Sequence, residues 1–146
     1  MRQSHVGVRV KLRIKVRGRE AETAALVNTG FETEKPELLI PAKLASRLGL
    51  YPPPTGTEVG EYGTVGGPVI MLRVPAMILV QMMYERRSPP IDSVAVISTL
   101  EQEVLISDTL AEKLRIVILS PARGLWRFQN DKPGRIRRSA RPKYWT

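Results

Sequence analysis

Near the start of the chain apolar and basic residues alternate, and this alternation constrains the fold more than any other feature. The apolar positions are Val6, Val8, Val10, Leu12, Ile14 and Val16, and the basic positions are Arg9, Lys11, Arg13, Lys15 and Arg17. Because successive side chains of a β-strand point to opposite faces, the pattern predicts a half-buried strand. Gly18 allows a turn and residues 20–27 supply a second arm, so this region is predicted to be a β-hairpin.

The basic row of this strand has two interpretations. Its cations could contact nucleic acid, since the net charge of +9 and the pI near 10.4 favour anionic partners. Alternatively, the row is the solvated face of a strand whose charges discourage pairing with other chains. We favour the solvated face, because no aromatic residue interrupts the row to stack on bases.

A second apolar run, residues 24–27, is followed directly by Asn28, Thr29 and Gly30. Four apolar residues that lead into a short polar residue, a Thr and a Gly indicate a buried strand that stops in a tight turn. We take this turn as the reference point for interpreting the other segments of the chain, and as the first candidate for a functional site.

The rest of the chain predicts short strands and two short helices, and therefore an all-β fold. Pro41 is suited to open a helix over residues 42–48, which Gly49 ends. Ser107 or Asp108 caps a second helix over residues 109–114. The glycine-rich residues 56–67 predict a mobile hairpin. Further strands are predicted at residues 37–40, 69–74, 76–82, 94–97, 104–106 and 116–119, with a last ordered segment at residues 124–128.

Two segments of the chain correspond to one another. Residues 43–50 align without gaps on residues 109–116, and each is a predicted helix that follows a short apolar strand. The correspondence suggests a duplication with internal pseudo-symmetry. Chance similarity between two amphipathic helices is the alternative.

The composition divides the chain into a domain, residues 1–129, and a basic tail, residues 130–146. Six basic residues in the tail, less Asp131, leave it a charge of +5. Because the tail has few apolar residues, it is predicted to be an extended or disordered arm.

Scarce residue types exclude several classes of site. The chain has no Cys and one His, His5, so neither disulfides nor Cys or His metal sites are expected, and no cofactor is predicted. Basic residues interrupt the apolar runs that follow Met1, and no apolar stretch reaches the roughly 18 residues that span a bilayer. A soluble, cytoplasmic protein without a membrane partner is therefore expected.

Three segments, in this order and spacing, resemble the retropepsin-like aspartic proteases. Residues 25–30 resemble the active-site turn, with Asn28 at the position of the Asp in the family's Asp-Thr-Gly. Residues 39–50 resemble the strand and helix that follow this turn. Residues 104–116 resemble the late strand and helix, although Ser107 stands near the family's usual Gly. The resemblance covers residues 6–128 and implies a mainly antiparallel β-barrel of the acid protease type.

The resemblance also implies partners and site residues. It implies a homodimer in which each subunit contributes one turn, with Thr29 hydroxyls hydrogen-bonded across the two-fold axis beside Gly30. The glycine-rich hairpin would be the flap that covers an extended peptide substrate. The substrate-binding residues near its tip would be Tyr62, Gly63, Thr64 and Val65.

The chemistry of the turn departs from that of an aspartic protease. Hydrolysis needs two close carboxylates, one as general base towards water and the other as general acid. An Asn amide does neither, so Asn28 predicts that hydrolysis is absent or impaired. Asp92 and Asp108 are explained as a turn residue and a helix cap. Three functions stay open: a peptide-binding scaffold with a native or engineered Asn28, a protease acting by another route, and a nucleic-acid-associated protein that uses its basic tail.

Overall fold

The computed structural model describes residues 7–28, 30–64, 67–86 and 88–146, and within these ranges the chain forms ten strands and two short helices. In chain order they are β1 (Arg9–Val16), β2 (Arg19–Val27), β3 (Glu37–Pro41), α1 (Ala42–Arg47), β4 (Glu58–Thr64), β5 (Gly67–Met82), β6 (Ile91–Ser98), β7 (Val104–Ile106), α2 (Asp108–Lys113), β8 (Ile116–Ser120), β9 (Leu125–Phe128) and β10 (Arg137–Arg138). The predicted all-β fold, a mainly antiparallel β-barrel with two short helices, is confirmed.

The N-terminal hairpin follows the predicted alternation. β1 and β2 are antiparallel, with Arg9 opposite Leu26 and Val16 opposite Arg19. The apolar side chains at alternate positions from Val8 to Val16 are at most 4% exposed and belong to the main core. Arg9 departs from the predicted solvated row: it is only 6% exposed, because the C-terminal tail and an acidic side chain cover it.

Six strands close the barrel in the order β1-β2-β7-β3-β6-β5, and β5 pairs back with β1. Neighbouring strands are antiparallel except for the parallel pairs β2–β7 and β3–β6. Within the described ranges β4 pairs only with residues 67–73 of β5, and so extends the sheet beyond the closed ring. The β4–β5 hairpin therefore projects from the barrel.

The strand pairing relates two halves of the barrel by an approximate two-fold axis. The first half contains β1, β2, β3 and α1, and the second half contains their counterparts β5, β6, β7 and α2, in the same order. The parallel pair β2–β7 has its counterpart in the parallel pair β6–β3. The antiparallel pairs β3–β7 and β1–β5 each join a strand to its own counterpart. Gly49 and Arg115, which correspond in the aligned segments, both have left-handed backbone, with φ of 75° and 62°. The sequence correspondence between residues 43–50 and 109–116 thus has a structural counterpart.

The C-terminal tail is extended, but it packs on the barrel as an ordered segment. Its β10 pairs with β9 in a three-stranded sheet with β8. Further along, the Ala140 N–H donates to the Arg9 carbonyl oxygen at 2.8 Å, and the Trp145 Nε1–H donates to the Thr23 hydroxyl at 2.9 Å. The composition did not indicate this order because much of the tail's packing comes from a charged side chain, Arg137, which is 7% exposed.

In the described part of the chain, neither helix is long or apolar enough to cross a membrane. His5 lies outside the residues that the structure describes.

Candidate functional site

The Asn28 turn ends β2 at one end of the barrel. The Asn28 N–H donates to the carbonyl oxygen of Ile106 in the parallel strand β7 at 3.1 Å. Its side-chain Oδ1 accepts a hydrogen bond from the Gly30 N–H at 3.1 Å, and its carbonyl oxygen accepts one from the Phe31 N–H at 3.0 Å. This side-chain bond to the backbone two residues on is that of an Asx turn. Thr29 falls in a gap between the described ranges.

The loop after the turn is attached to the start of α2. The Asp108 N–H donates to the Phe31 carbonyl oxygen at 2.9 Å, and the Asp108 carboxylate accepts from the Thr33 N–H at 3.0 Å. Next to it, the Ser107 hydroxyl oxygen caps the helix by accepting from the Leu110 N–H at 3.2 Å. Ser107 is therefore the helix cap, and Asp108 has a structural role in joining the loop to the helix.

A cleft of about 460 Å³ lies beside the Asn28 turn. Its floor is apolar: Phe31, Leu39, Met71 and Leu105 line the cleft and form, with Val96, a small cluster separate from the main core. The cleft thus combines an apolar surface with the polar backbone and side chain of a turn, a combination typical of ligand sites.

One wall of the cleft comes from the β4–β5 hairpin. Val69 and Met71 on β5 line the cleft, whereas Ile70 between them is 62% exposed. Close to the base of the hairpin, Arg73 Nη2 lies 2.8 Å from the carboxylate of Glu37 in β3, which ties the hairpin to the barrel. An extended strand with alternate residues facing the cleft is a surface that another extended chain can follow.

Three of the four predicted substrate-binding residues lie near the tip of this hairpin. The backbones of Tyr62, Gly63 and Thr64 belong to β4 and pair with Val69, Pro68 and Gly67 of β5. The side chains of Tyr62 and Thr64 are not among the features that the structure describes, and Val65 lies outside the described residues.

A second turn lines the cleft and was not identified from the sequence. Ser98 ends β6 as Asn28 ends β2, and the approximate two-fold axis relates β6 to β2. The Ser98 Oγ accepts hydrogen bonds from the N–H groups of Leu100 and Glu101, each at 3.1 Å. A signal for it was present, since residues 95–99 read Ala-Val-Ile-Ser-Thr and residues 25–29 read Ala-Leu-Val-Asn-Thr.

The ionisable side chains that line the cleft, among those the structure describes, are Glu32 and Glu101. Both are exposed and stand on separate loops, one after the Asn28 turn and the other after the Ser98 turn. Asp92 and Asp108 are not among the lining residues. Asp92 lies within β6 opposite Leu79, so its interpretation as a turn residue is wrong. No group of three His, Asp or Glu side chains in the described ranges is placed to hold a metal ion.

Comparison of the sequence with models of known protein families finds no match, and comparison with curated proteins finds none either. A function for this chain must therefore be argued from the geometry and chemistry of the cleft.

Proposed function

We propose that the chain is a retropepsin-like, homodimeric protein that binds an extended polypeptide in the cleft beside the Asn28 turn, and that hydrolysis is absent or impaired because Asn28 replaces the catalytic Asp. One observation carries the proposal. An Asx turn at the end of a buried strand borders an apolar cleft of about 460 Å³ whose wall is a projecting β-hairpin.

The lining of the cleft supports an extended peptide as the ligand. Phe31, Leu39 and Leu105 supply an apolar surface for a side chain of the peptide. Along the wall, the β5 strand presents Val69 and Met71 at alternate positions, which matches the period of two in an extended chain.

The Asn28 side chain supports a function in which the peptide is bound but not hydrolysed. An aspartic dyad works because two carboxylates share a proton, so that one activates water while the other protonates the carbonyl group of the substrate. The Asn28 amide can form hydrogen bonds to water or to a peptide, but it does not take up or release a proton near neutral pH. A cleft lined by this residue is suited to hold a peptide without cleaving it.

The peptide site can be tested with two neighbouring residues of β5. We expect Val69→Arg to reduce the affinity for extended peptides at least about tenfold, because a long charged side chain would occupy the apolar cleft. Ile70→Arg is the matched control, since Ile70 is 62% exposed and does not line the cleft. Titration of a pool of unfolded peptides, followed by fluorescence anisotropy, measures both variants. Equal affinities in the two variants would remove the cleft as the binding site.

A homodimer is expected because the chain carries one Asn-Thr-Gly turn, and a second copy supplies the other. Isologous pairing is the commonest arrangement of small oligomers. Leu100, at the edge of the cleft, is 72% exposed, which leaves apolar surface for a second subunit or a peptide to cover. Light scattering should therefore give a mass twice the chain's 16.4 kDa. A monomer at high micromolar concentration would contradict this part of the proposal.

A further inference from the structure

A second concave surface lies between the outer face of the N-terminal hairpin and the C-terminal tail. This groove measures about 640 Å³ and shares no lining residue with the cleft. Three exposed cations line it, Lys11 from β1 and Arg141 and Lys143 from the tail, and we call this surface the basic groove. Glu22 is the acidic side chain among its described lining residues, and its carboxylate lies 3.0 Å from Arg13 Nη2.

The tail cations have positions set by hydrogen bonds on both sides of them. Before Arg141, the Ala140 N–H donates to the Arg9 carbonyl oxygen at 2.8 Å. After Lys143, the Trp145 N–H donates to the Gln102 carbonyl oxygen at 2.7 Å. A ligand of the groove would therefore not have to order a disordered arm, a cost that weakens binding by flexible segments.

Beyond the basic groove, the outer face of β1 carries further cations, but Arg13 and Lys15 lie opposite Glu22 and Glu20 of β2, and Arg13 forms ion pairs with both carboxylates. Lys11 and Lys15 are exposed and lie four residues apart, which places them on the same strand face about 13 Å from each other. Arg17, in the turn that follows, is also exposed. The net positive charge is therefore concentrated in the groove itself, where Lys11, Arg141 and Lys143 suit a ligand with charge repeated along its length, such as a chain of phosphates.

The tail also adds an aromatic ring, which the basic row of β1 lacks. Tyr144 follows Lys143 directly and is 47% exposed. Tyr144 is not among the residues that line the groove, so it would stack on a base that extends beyond the edge of the groove while the cations contact the phosphates. An acidic peptide would use the cations but would gain little from the ring.

We infer that the basic groove binds single-stranded nucleic acid, with Lys11, Arg141 and Lys143 contacting the phosphodiester backbone and Tyr144 stacking on a base. The site is independent of the proposed peptide cleft, so the chain would hold a polypeptide on one surface and a nucleic acid on another. A peptide ligand at the cleft is not required for the groove to function.

The test uses the full chain and a fluorescent oligonucleotide of about 20 nucleotides, with anisotropy measured at about 50 and about 200 mM salt. The first variant replaces Lys11, Arg141 and Lys143 by Gln. Three phosphate contacts account for an affinity loss of about 20-fold between these salt concentrations, and the variant should lack that part of the salt dependence. Tyr144→Ala should weaken binding about fivefold or more, with the salt dependence unchanged.

A matched variant controls for overall charge. It replaces Lys35, Lys113 and Arg123 by Gln, all of which are exposed and absent from the groove lining. This control should keep most of the affinity and its salt dependence, and thermal unfolding should show that both triple variants are folded. Equal losses in the two triple variants would overturn the inference, as would absence of binding by the unmodified chain. Equally tight binding of a poly-glutamate peptide would overturn the assignment to nucleic acid.

Discussion

Replacing Asn28 by Asp should convert a chain without detectable peptidase activity into one that cleaves unfolded or extended peptides at acidic pH. General acid and general base catalysis each contribute roughly 10²- to 10⁴-fold, and in the proposed symmetric dimer Asn28 would remove both roles at once. The replacement is nearly isosteric, and an Asp Oδ1 could accept the same hydrogen bond from the Gly30 N–H that the Asn Oδ1 accepts at 3.1 Å. The turn should therefore keep its geometry while gaining the shared proton of a dyad.

The measurement is cleavage of a fluorogenic peptide pool by the unmodified chain, Asn28→Asp and Asn28→Ala. Only Asn28→Asp should be active, and a peptide mimic with a hydroxyl group in place of the scissile carbonyl should inhibit it. If the unmodified chain cleaves as fast as the Asp variant, the dyad is not the catalytic group. If Asn28→Asp forms dimers and stays inert, the proposed relation to aspartic proteases loses its main chemical support.

The strands of this protein could be predicted where the pattern depends on local side chains. Alternation from Val8 to Val16 identifies β1, because a strand with one buried face repeats every two residues whatever it packs against. Pro41 and Gly49 bracket α1 for equally local reasons, one by its fixed φ and the other by its left-handed φ of 75°. Barrel closure was not predictable in this way, since the closing β1–β5 pair joins Ile14 to Val80, which is distant in the chain.

Long-range packing explains what the sequence did not reveal about individual residues. Arg9 belongs to the alternating basic row, yet it is buried against Glu103, whose carboxylate lies 2.7 Å from the Arg9 Nε. Both hydrogen bonding to this carboxylate and its charge raise the pKa of Arg9. Nothing within the row distinguishes Arg9 from Lys11, because the residues that cover it are distant in the chain.

Part of the candidate site could be predicted from the sequence, and the part that depends on long-range packing could not. Asn28 stood out because an apolar run, a short polar residue and a Gly occur in sequence. The Ser98 turn lacks the Gly, so its sequence similarity to residues 25–29 gains meaning from the two-fold relation between β2 and β6. Glu32 and Glu101 come from loops far apart in the chain, so only the closed barrel brings them to one cleft.

Loss of the Arg137 side chain should be the most destabilising single change in the tail. The Arg137 guanidinium donates to Asp131, with Nε 2.9 Å from Oδ2, and to Glu85, with Nη2 2.7 Å from Oε2. It also lies 4.9 Å from the centre of the Phe128 ring, and this ring and the Trp126 ring are almost fully buried. The charged side chain thus links the tail to the aromatic part of the core.

Arg137→Ala should lower the free energy of unfolding by about 3–5 kcal/mol, because it leaves the Asp131 carboxylate buried without its main partner. The Asp131 side chain is 3% exposed, and its remaining ion pair is to Arg86 at 3.2 Å. Arg138→Ala is the matched control in the same strand, since Arg138 is exposed and its loss should change stability by no more than about 0.5 kcal/mol. Urea unfolding measures both, and similar midpoints for the two variants would contradict this role of Arg137.

The same cluster predicts how stability depends on pH. Hydrogen bonds from Arg137 hold the pKa of Asp131 well below its usual range and lower the pKa of Glu85 to about 2. Because folding depresses these values, their stabilisation is complete above the unfolded pKa of about 4 and is lost as the pH falls towards the folded values. The unfolding free energy of the unmodified chain should therefore decline below about pH 4, and Arg137→Ala should flatten that decline. An equally steep decline in both would mean that other carboxylates control the acid response. Assays of Asn28→Asp accordingly belong above about pH 4, where this cluster is intact.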